Sequence, residues 1–122
     1  MKVLIVDDES TTLELYGALL EDEGHEVLTR DRAMGTTLVI ISEQPDVVLV
    51  DVGMPGLPGD ELVRVVRDNP RARGVNVVLF SARPGTELAK IASRCGARGY
   101  IEKNEDHELF LEDFRKLAAG LN

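Results

Sequence analysis

The sequence predicts an α/β fold in which a parallel sheet is covered by helices on both faces. Three apolar runs, residues 3–6, 47–50 and 77–80, are rich in β-branched residues and almost uninterrupted. This pattern is typical of strands whose two faces are both covered. Helical patterns lie between the runs, and such alternation indicates an open α/β sheet. A length of 122 residues suits one core, so we expect a single domain over residues 1–122.

Two weaker strand candidates, residues 26–30 and 99–103, suit the flanks of the sheet. Four helices are predicted from apolar residues with i, i+3, i+4, i+7 spacing. Their apolar positions are Leu13, Tyr16, Leu19 and Leu20; Leu62, Val65 and Val66; Leu88, Ile91, Ala92 and Cys95; and Phe110, Phe114 and Leu117. Ser10 is a candidate cap of the first helix, while Gly24 and Gly96 are candidate helix ends.

The segment 32–43 fits two structures. Its β-branched residues, such as Thr36 and Ile40, favour a strand. Yet Ala33, Thr37, Ile40 and Ile41 share one helical face. Because the segment joins two predicted parallel strands, and such a crossover takes about a dozen residues and is usually helical, we predict a helix.

Composition and charge exclude some functions and indicate where the protein acts. Acidic residues outnumber basic ones by 22 to 14, which argues against non-specific nucleic-acid binding and leaves docking to a basic protein surface open. The single cysteine, Cys95, lies on an apolar helix face and is predicted to be a core thiol. The first apolar run reaches Asp7 too soon for a signal peptide, and no run has the roughly 20 residues of a membrane span, so we expect a cytoplasmic protein. His25 and His107 are predicted to be surface residues.

Polar residues follow the predicted strands where each one ends. Asp7 and Asp8 follow the first run, Asp51 the third strand, Ser81 the fourth, and Lys103 ends the fifth. Ligands of doubly wound sheets bind at these carboxyl ends, near the switch point. The strand order 2-1-3-4-5, taken from the flavodoxin-like fold class, would place the first and third strands about 4.8 Å apart. The three aspartates would then share one pocket.

Three clustered carboxylates repel one another unless their pKa values rise or a cation neutralises them. With oxygen ligands only, Mg²⁺ is the natural choice. Lys103 lies two strands from Asp51, roughly 10 Å by strand spacing, a gap that a long ammonium side chain suits. Ser81 offers a hydroxyl one strand away. A carboxylate beside a metal, an ammonium and a hydroxyl is a plausible site for forming an aspartyl phosphate.

These residues resemble the receiver domain of bacterial two-component response regulators, over residues 2 to about 117. The matching features, in chain order, are Asp7-Asp8, Asp51, Met54-Pro55, Gly59, Ser81-Ala82, Gly96-Ala97, Tyr100 and Lys103. The resemblance implies a flavodoxin-like (βα)5 fold with strand order 2-1-3-4-5. It also implies a regulatory phosphoacceptor that assists only its own phosphorylation and dephosphorylation, rather than an enzyme acting on other substrates.

The resemblance implies a role for each site residue. Asp51 is the phosphoacceptor and, with Asp8 and the carbonyl of Gly53, a Mg²⁺ ligand, while Asp7 holds the ion through water. The implied phosphoryl contacts are Ser81, Lys103 and the backbone N–H of Ala82. Ser81 and Tyr100 are the implied switch pair, which alters the surface of the fourth helix, fifth strand and fifth helix.

The resemblance also implies partners. A histidine kinase or phosphotransfer protein would supply the phosphoryl group, and an effector protein or fused output domain would read the switch. The implied assembly is a monomer or a phosphorylation-linked dimer, with no direct contact to nucleic acid or membrane.

One position departs from the family pattern. Asn104 stands where the family usually has proline, in a cis bond after the lysine. For other residues the cis form costs about 2.5–4 kcal/mol, so the Lys103–Asn104 bond is predicted to be either trans or strained.

Three other functions fit parts of the sequence. A flavodoxin-like carrier could place a phosphate at residues 10–12, but the preceding aspartates would repel an anion and the chain has few aromatic residues. An aspartate-nucleophile phosphatase would need a second acid where Gly53 stands. A receiver-like interaction module that is never phosphorylated is the third alternative, and the departure at Asn104 supports it.

Overall fold

Five strands and five helices alternate along residues 1–72 and 74–121, which the computed structural model describes. The strands are β1 (Lys2–Val6), β2 (Glu26–Arg30), β3 (Val47–Val50), β4 (Asn76–Ser81) and β5 (Gly99–Glu102). The helices are α1 (Ser10–Asp22), α2 (Thr36–Glu43), α3 (Gly59–Asp68), α4 (Gly85–Cys95) and α5 (His107–Ala119). The alternation predicted from the apolar runs is therefore confirmed.

The strands form one parallel sheet in the order β2-β1-β3-β4-β5. Val6 of β1 pairs with Val50 of β3, which in turn pairs with Leu79 of β4. On the far side of β4, Ser81 pairs with Glu102 of β5. This register brings the carboxyl ends of the strands to one edge of the sheet, and the predicted strand order is confirmed.

Apolar packing covers both faces of the sheet. In β1, Leu4 and Val6 belong to the cluster beneath α2, α3 and α4. Val3 and Ile5 point the other way, into the cluster beneath α1 and α5. Because successive side chains of a strand alternate between faces, a strand covered on both sides must be apolar at every position. This requirement explains the uninterrupted runs.

The ambiguous segment forms helix α2, as the crossover length predicts. Ala33 and Ile40 are buried against the sheet, and Thr37 and Ile41 are partly buried. Within the described ranges, no helix is both long and apolar enough to span a bilayer.

Helix ends agree with the sequence at two of three positions. Gly24 and Gly96 follow α1 and α4 with φ of 95° and 80°, a left-handed conformation that favours glycine. The predicted cap at Ser10 is wrong, because α1 begins at Ser10 and its cap position is Glu9, whose side chain makes no capping bond. Asp7 Oδ1 instead accepts a hydrogen bond from the Glu9 N–H at 2.9 Å.

The predictions for the cysteine and the two histidines have different outcomes. Cys95 is fully buried, as expected of a core thiol, and His107 is exposed. His25 lies at the surface only in part. Its ring is partly buried and packs edge-on against Phe114, with centroids 5.2 Å apart. This burial lowers the pKa of His25.

Candidate functional site

The site lies at the carboxyl edge of the sheet, where the first residues beyond the strands remain hydrogen-bonded to their neighbours. The Asp51 N–H donates to the Val6 carbonyl at 3.0 Å, and the Lys103 N–H donates to the Ser81 carbonyl at 2.8 Å. The parallel ladder thus extends one residue beyond β3 and β5. The backbones of Asp51 and Lys103 are therefore held by the sheet rather than by mobile loops.

Three carboxylates meet at this edge. Asp7, Asp8 and Asp51 each offer an oxygen, and these oxygens all lie within 4.8 Å of one another. Asp7 is fully buried, Asp51 is partly buried and Asp8 is exposed. A set of carboxylate oxygens open to solvent on one side suits a hard divalent cation such as Mg²⁺, which binds few carboxylates and keeps several waters. The residues present therefore fit the metal that the sequence predicts.

Lys103 crosses the gap between β5 and these carboxylates. Its Nζ lies 2.5 Å from Asp7 Oδ2 and 3.8 Å from Asp51 Oδ1, and 5.5 Å from the centroid of the Phe80 ring. The contact with Asp7 is an ion pair without hydrogen-bond alignment. Only 13% of the Lys103 side chain is exposed, so the positive charge lies inside the acidic cluster.

Burial raises the pKa of the Asp51 carboxyl above its ordinary value. The negative charges of Asp7 and Asp8 raise this pKa further, while Lys103 and a backbone hydrogen bond from Gly53 lower it in part. The ionised carboxylate is therefore not fully compensated by the protein. A bound cation would stabilise its charged, nucleophilic form.

The loop from β3 to α3 passes very close to Asp51. A Cβ atom at Gly59 would overlap the Asp51 carbonyl oxygen, and the Gly59 N–H donates to the Val52 carbonyl at 3.3 Å. Within this loop Met54 is buried, whereas Gly53 is exposed. Glycine is required at position 59 because the helix start and the site backbone are in contact.

Besides Lys103, the predicted phosphoryl-contact residues are Ser81, at the end of β4, and Ala82, directly after it. Ser81 is only 4% exposed, and its hydroxyl oxygen accepts a hydrogen bond from the Arg83 N–H at 3.2 Å. Ala82, the next residue, is exposed. Tyr100 lies on β5, where it pairs with Leu79, and its side chain is 40% exposed. The structure thus brings the aspartates and Lys103 together and places Tyr100 outside this cluster.

Sequence reasoning missed the hydrogen bonds of the loop between β5 and α5. No cis peptide occurs within residues 1–72 and 74–121, so the Lys103–Asn104 bond is trans. Asn104 Oδ1 accepts from the Asp106 N–H at 2.8 Å. Asp106 Oδ1 in turn accepts from the N–H groups of Glu108 and Leu109 at 3.1 and 3.3 Å, capping α5. Aspartate before an apolar helical pattern is a typical cap signal, which would have identified Asp106.

The sheet order, the acidic pocket and the inserted lysine together define a receiver domain. The chain matches the family described as "Response regulator receiver domain" over residues 3–115, and it belongs to that family. The resemblance seen in the sequence is therefore confirmed, and the chain is a receiver domain of the two-component type.

Individual relatives span nearly the same length. The chain is 32% identical over 119 residues to Protein PilH of Pseudomonas aeruginosa, covering 98% of each chain. It is 32% identical over 124 residues to Chemotaxis protein CheY of the same organism, covering 100% of this chain and 99% of that one. The solved structure of chemotaxis response regulator CheY4 of Vibrio cholerae superposes with a TM-score of 0.85 at 26% identity, over 95% of this chain and 97% of that chain.

Proposed function

We propose that this chain is a phosphoacceptor switch that takes a phosphoryl group onto Asp51 in a Mg²⁺-dependent reaction. The donor is the phosphohistidine of a histidine kinase or phosphotransfer protein. A carboxylate oxygen of Asp51 forms the new bond to phosphorus while the bond from phosphorus to the histidine nitrogen breaks. The released imidazole nitrogen keeps the electron pair of that bond and takes a proton from solvent. The observation that carries the proposal is an incompletely compensated, partly buried carboxylate 3.8 Å from a lysine ammonium.

Asp8, Asp51 and the carbonyl of Gly53 would hold the ion, with Asp7 contributing through water. When bound, Mg²⁺ offsets negative charge on the transferring phosphoryl oxygens. Asp7 has a further role in this arrangement. Its buried carboxylate holds the Lys103 ammonium at 2.5 Å, beside the oxygen that would carry the phosphoryl group.

Lys103 and Ser81 then contact the phosphoryl oxygens, together with the backbone N–H of Ala82. The ammonium is preorganised, because it is already inside the cluster and only 13% exposed. The Ser81 hydroxyl oxygen now accepts a hydrogen bond from the Arg83 N–H. The hydroxyl would therefore have to reorient in order to donate to a phosphoryl oxygen.

The signal would leave the site through Ser81 and Tyr100. Tyr100 is 40% exposed, so its ring is not fixed in the core, and it would turn inward when Ser81 moves toward the phosphoryl group. This change alters the surface formed by α4, β5 and α5, which an effector protein or a fused output domain reads. We propose that residues 1–122 act as one receiver domain, as a monomer or a phosphorylation-linked dimer, without direct contact to nucleic acid.

Intact mass spectrometry after incubation with acetyl phosphate tests the proposal. We expect one added phosphoryl group that requires Mg²⁺ and is absent in Asp51→Asn. Asp68→Asn, an exposed change on α3, is the matched control and should be modified like the parent. Modification of Asp51→Asn to the parent level would refute the assignment. If the parent gains no adduct and binds no beryllofluoride, the chain is a phosphorylation-independent interaction module instead.

A further inference from the structure

The loop that carries Lys103 into α5 is held by side-chain hydrogen bonds at a position where the family usually has proline. Asn104 Oδ1 accepts from the Asp106 N–H at 2.8 Å, which closes a turn over residues 104–106. Asp106 then caps α5 through the N–H groups of Glu108 and Leu109. The turn and the cap together fix the path of the backbone from Lys103 into the helix.

A residue distant in sequence holds the same loop from the other side. The hydroxyl of Tyr16, on α1, donates to the Asn104 carbonyl at 3.3 Å across 88 positions of the chain. Tyr16 is only 6% exposed. Its ring is fixed edge-on against Phe80, with centroids 4.9 Å apart, and against Phe110 at 4.7 Å. A buried hydroxyl on a ring so confined can reach few acceptors, so its bond to the loop is specific.

The ring that supports Tyr16 also lies beneath the lysine. Lys103 Nζ is 5.5 Å from the centroid of Phe80, the residue against which Tyr16 packs. Tyr16 therefore touches the Lys103 segment twice, directly at the next carbonyl and indirectly through Phe80. Neither contact involves Asp8 or Asp51, the proposed metal ligands.

We infer that Tyr16 and Asn104 are positioning residues that aim the Lys103 ammonium at the phosphoryl-accepting carboxylate, in place of the proline usual in the family. This inference rests on the proposed phosphorylation of Asp51. Tyr16 fixes the carbonyl that follows Lys103, and the Asn104 side chain fixes the turn after it. The Lys103 ammonium can then pair with Asp7 and lie near Asp51 although position 104 is not a proline.

The first test needs no phosphoryl donor. Amide hydrogen exchange is measured by NMR at Lys103 and Asp106 and compared with exchange at Val48 in the central strand β3. Tyr16→Phe keeps the ring and removes only the hydroxyl, and we expect it to accelerate exchange at the two loop amides by about fivefold relative to Val48, the order expected for one ordinary hydrogen bond. Val66→Ala, a change of a buried α3 residue in the core cluster on the opposite face of the sheet from Tyr16, serves as a control for general destabilisation and should leave that ratio unchanged.

The second test asks whether Tyr16 acts through Lys103. The rate of modification by acetyl phosphate is measured against donor concentration for the parent, Tyr16→Phe, Lys103→Ala and the double variant. We expect Tyr16→Phe to slow the saturated rate by about fivefold, with little change in the half-saturating concentration. In the Lys103→Ala background the same change should slow the reaction no further, because non-additivity is the signature of a shared pathway.

Asn104 is tested by loss and rescue. Asn104→Ala should slow the saturated rate, and Asn104→Ser, which can also close a turn through its side-chain oxygen, should recover most of it.

Either of two results would overturn the inference. One is a Tyr16→Phe variant whose loop exchange and saturated rate equal those of the parent. The other is an equal slowing by Tyr16→Phe with and without Lys103, which would assign Tyr16 to general stability. Failure of the parent to become phosphorylated would refute the proposed function instead, and the exchange ratios would still decide whether Tyr16 holds the loop.

Discussion

Two clusters of opposite charges have similar contact distances and very different surroundings. At the carboxyl edge of the sheet, Lys103 Nζ lies 2.5 Å from Asp7 Oδ2, and Asp7 is fully buried. Between α1 and α5, Arg115 makes two parallel contacts with Glu23 at 2.7 and 3.0 Å and a third with Glu108 at 3.1 Å. The Arg115 side chain is 46% exposed, against 13% for Lys103.

Burial, rather than distance, separates the cluster that we propose to be reactive from the Arg115 cluster. Water and salt screen the exposed cluster, and such pairs contribute little to stability. In the buried cluster each charge depends on its partners, and burial raises the pKa of Asp51. A cation or a phosphoryl group arriving there would meet charges that are already oriented. The Arg115 cluster joins the end of α1 to α5 and lies at no strand end.

Removing the lysine should have the largest effect on stability. In Lys103→Met the apolar stem remains but Asp7 is left as a buried charge without its partner. We expect the free energy of unfolding to fall by about 3 kcal/mol in the absence of divalent cations, as when other buried pairs lose one member. Urea denaturation followed by circular dichroism in a chelator measures this.

The matched control is Lys116→Met on the exposed side of α5, which should change stability little. A loss below about 1 kcal/mol for Lys103→Met would mean that water reaches Asp7 and that the two clusters do not differ in kind.

A smaller effect of opposite sign is expected at Asp51. Because burial raises the pKa of this carboxyl in the folded state, the folded protein binds more protons than the unfolded chain between the ordinary and the raised value. The contribution of Asp51 to stability is thus present at low pH and lost as pH rises through the folded-state pKa. Asp51→Asn, which cannot ionise, should be more stable than the metal-free parent at neutral pH. This advantage should shrink as the pH falls toward 3.8, the ordinary pKa of an aspartate carboxyl.

Urea midpoints measured across this pH range, with Asp68→Asn as control, test the sign. A constant difference between Asp51→Asn and the parent at every pH would show that ionisation of Asp51 carries no folding cost, contrary to its position in the buried cluster.

The strand ends and the acidic residues that follow them could be predicted from the sequence, but which of these acids contacts Lys103 could not. Apolar periodicity locates each strand, and the sheet order then brings Asp51 and Lys103 to one edge. Periodicity does not say which acid the lysine prefers, so its contact with Asp7 emerged only from the structure. The bond from Tyr16 to the Asn104 carbonyl was hidden for the same reason, because Tyr16 fits an apolar helix face equally well.

Predictions made from neighbouring residues in the sequence failed where contacts between distant segments determine the structure. Ser10 has the chemistry of a cap but lies inside α1, because the Asp7 side chain bonds to the Glu9 N–H and starts the turn earlier. His25 has no sequence neighbours that suggest metal or triad chemistry, and its sequence gives no sign that α5 brings Phe114 against its ring. Gly59 matched the family pattern, but its physical reason, contact with the Asp51 carbonyl, depends on the path of the loop from β3 to α3.

The smallest effect is expected at the exposed cluster. Arg115→Gln keeps most of the stem and removes the charge that joins Glu23 and Glu108. Because all three side chains reach solvent, we expect a change in unfolding free energy much smaller than that of Lys103→Met, and one that disappears when the ionic strength rises to 1 M, where the Debye length is about 3 Å. Phosphorylation of Asp51 should be unaffected. The Arg115→Gln variant could instead lose as much unfolding free energy as Lys103→Met and keep that loss in high salt. This result would show that the two-point contact of Arg115 with Glu23 stabilises the fold as much as burial does. The two clusters would then differ only in their position relative to the sheet.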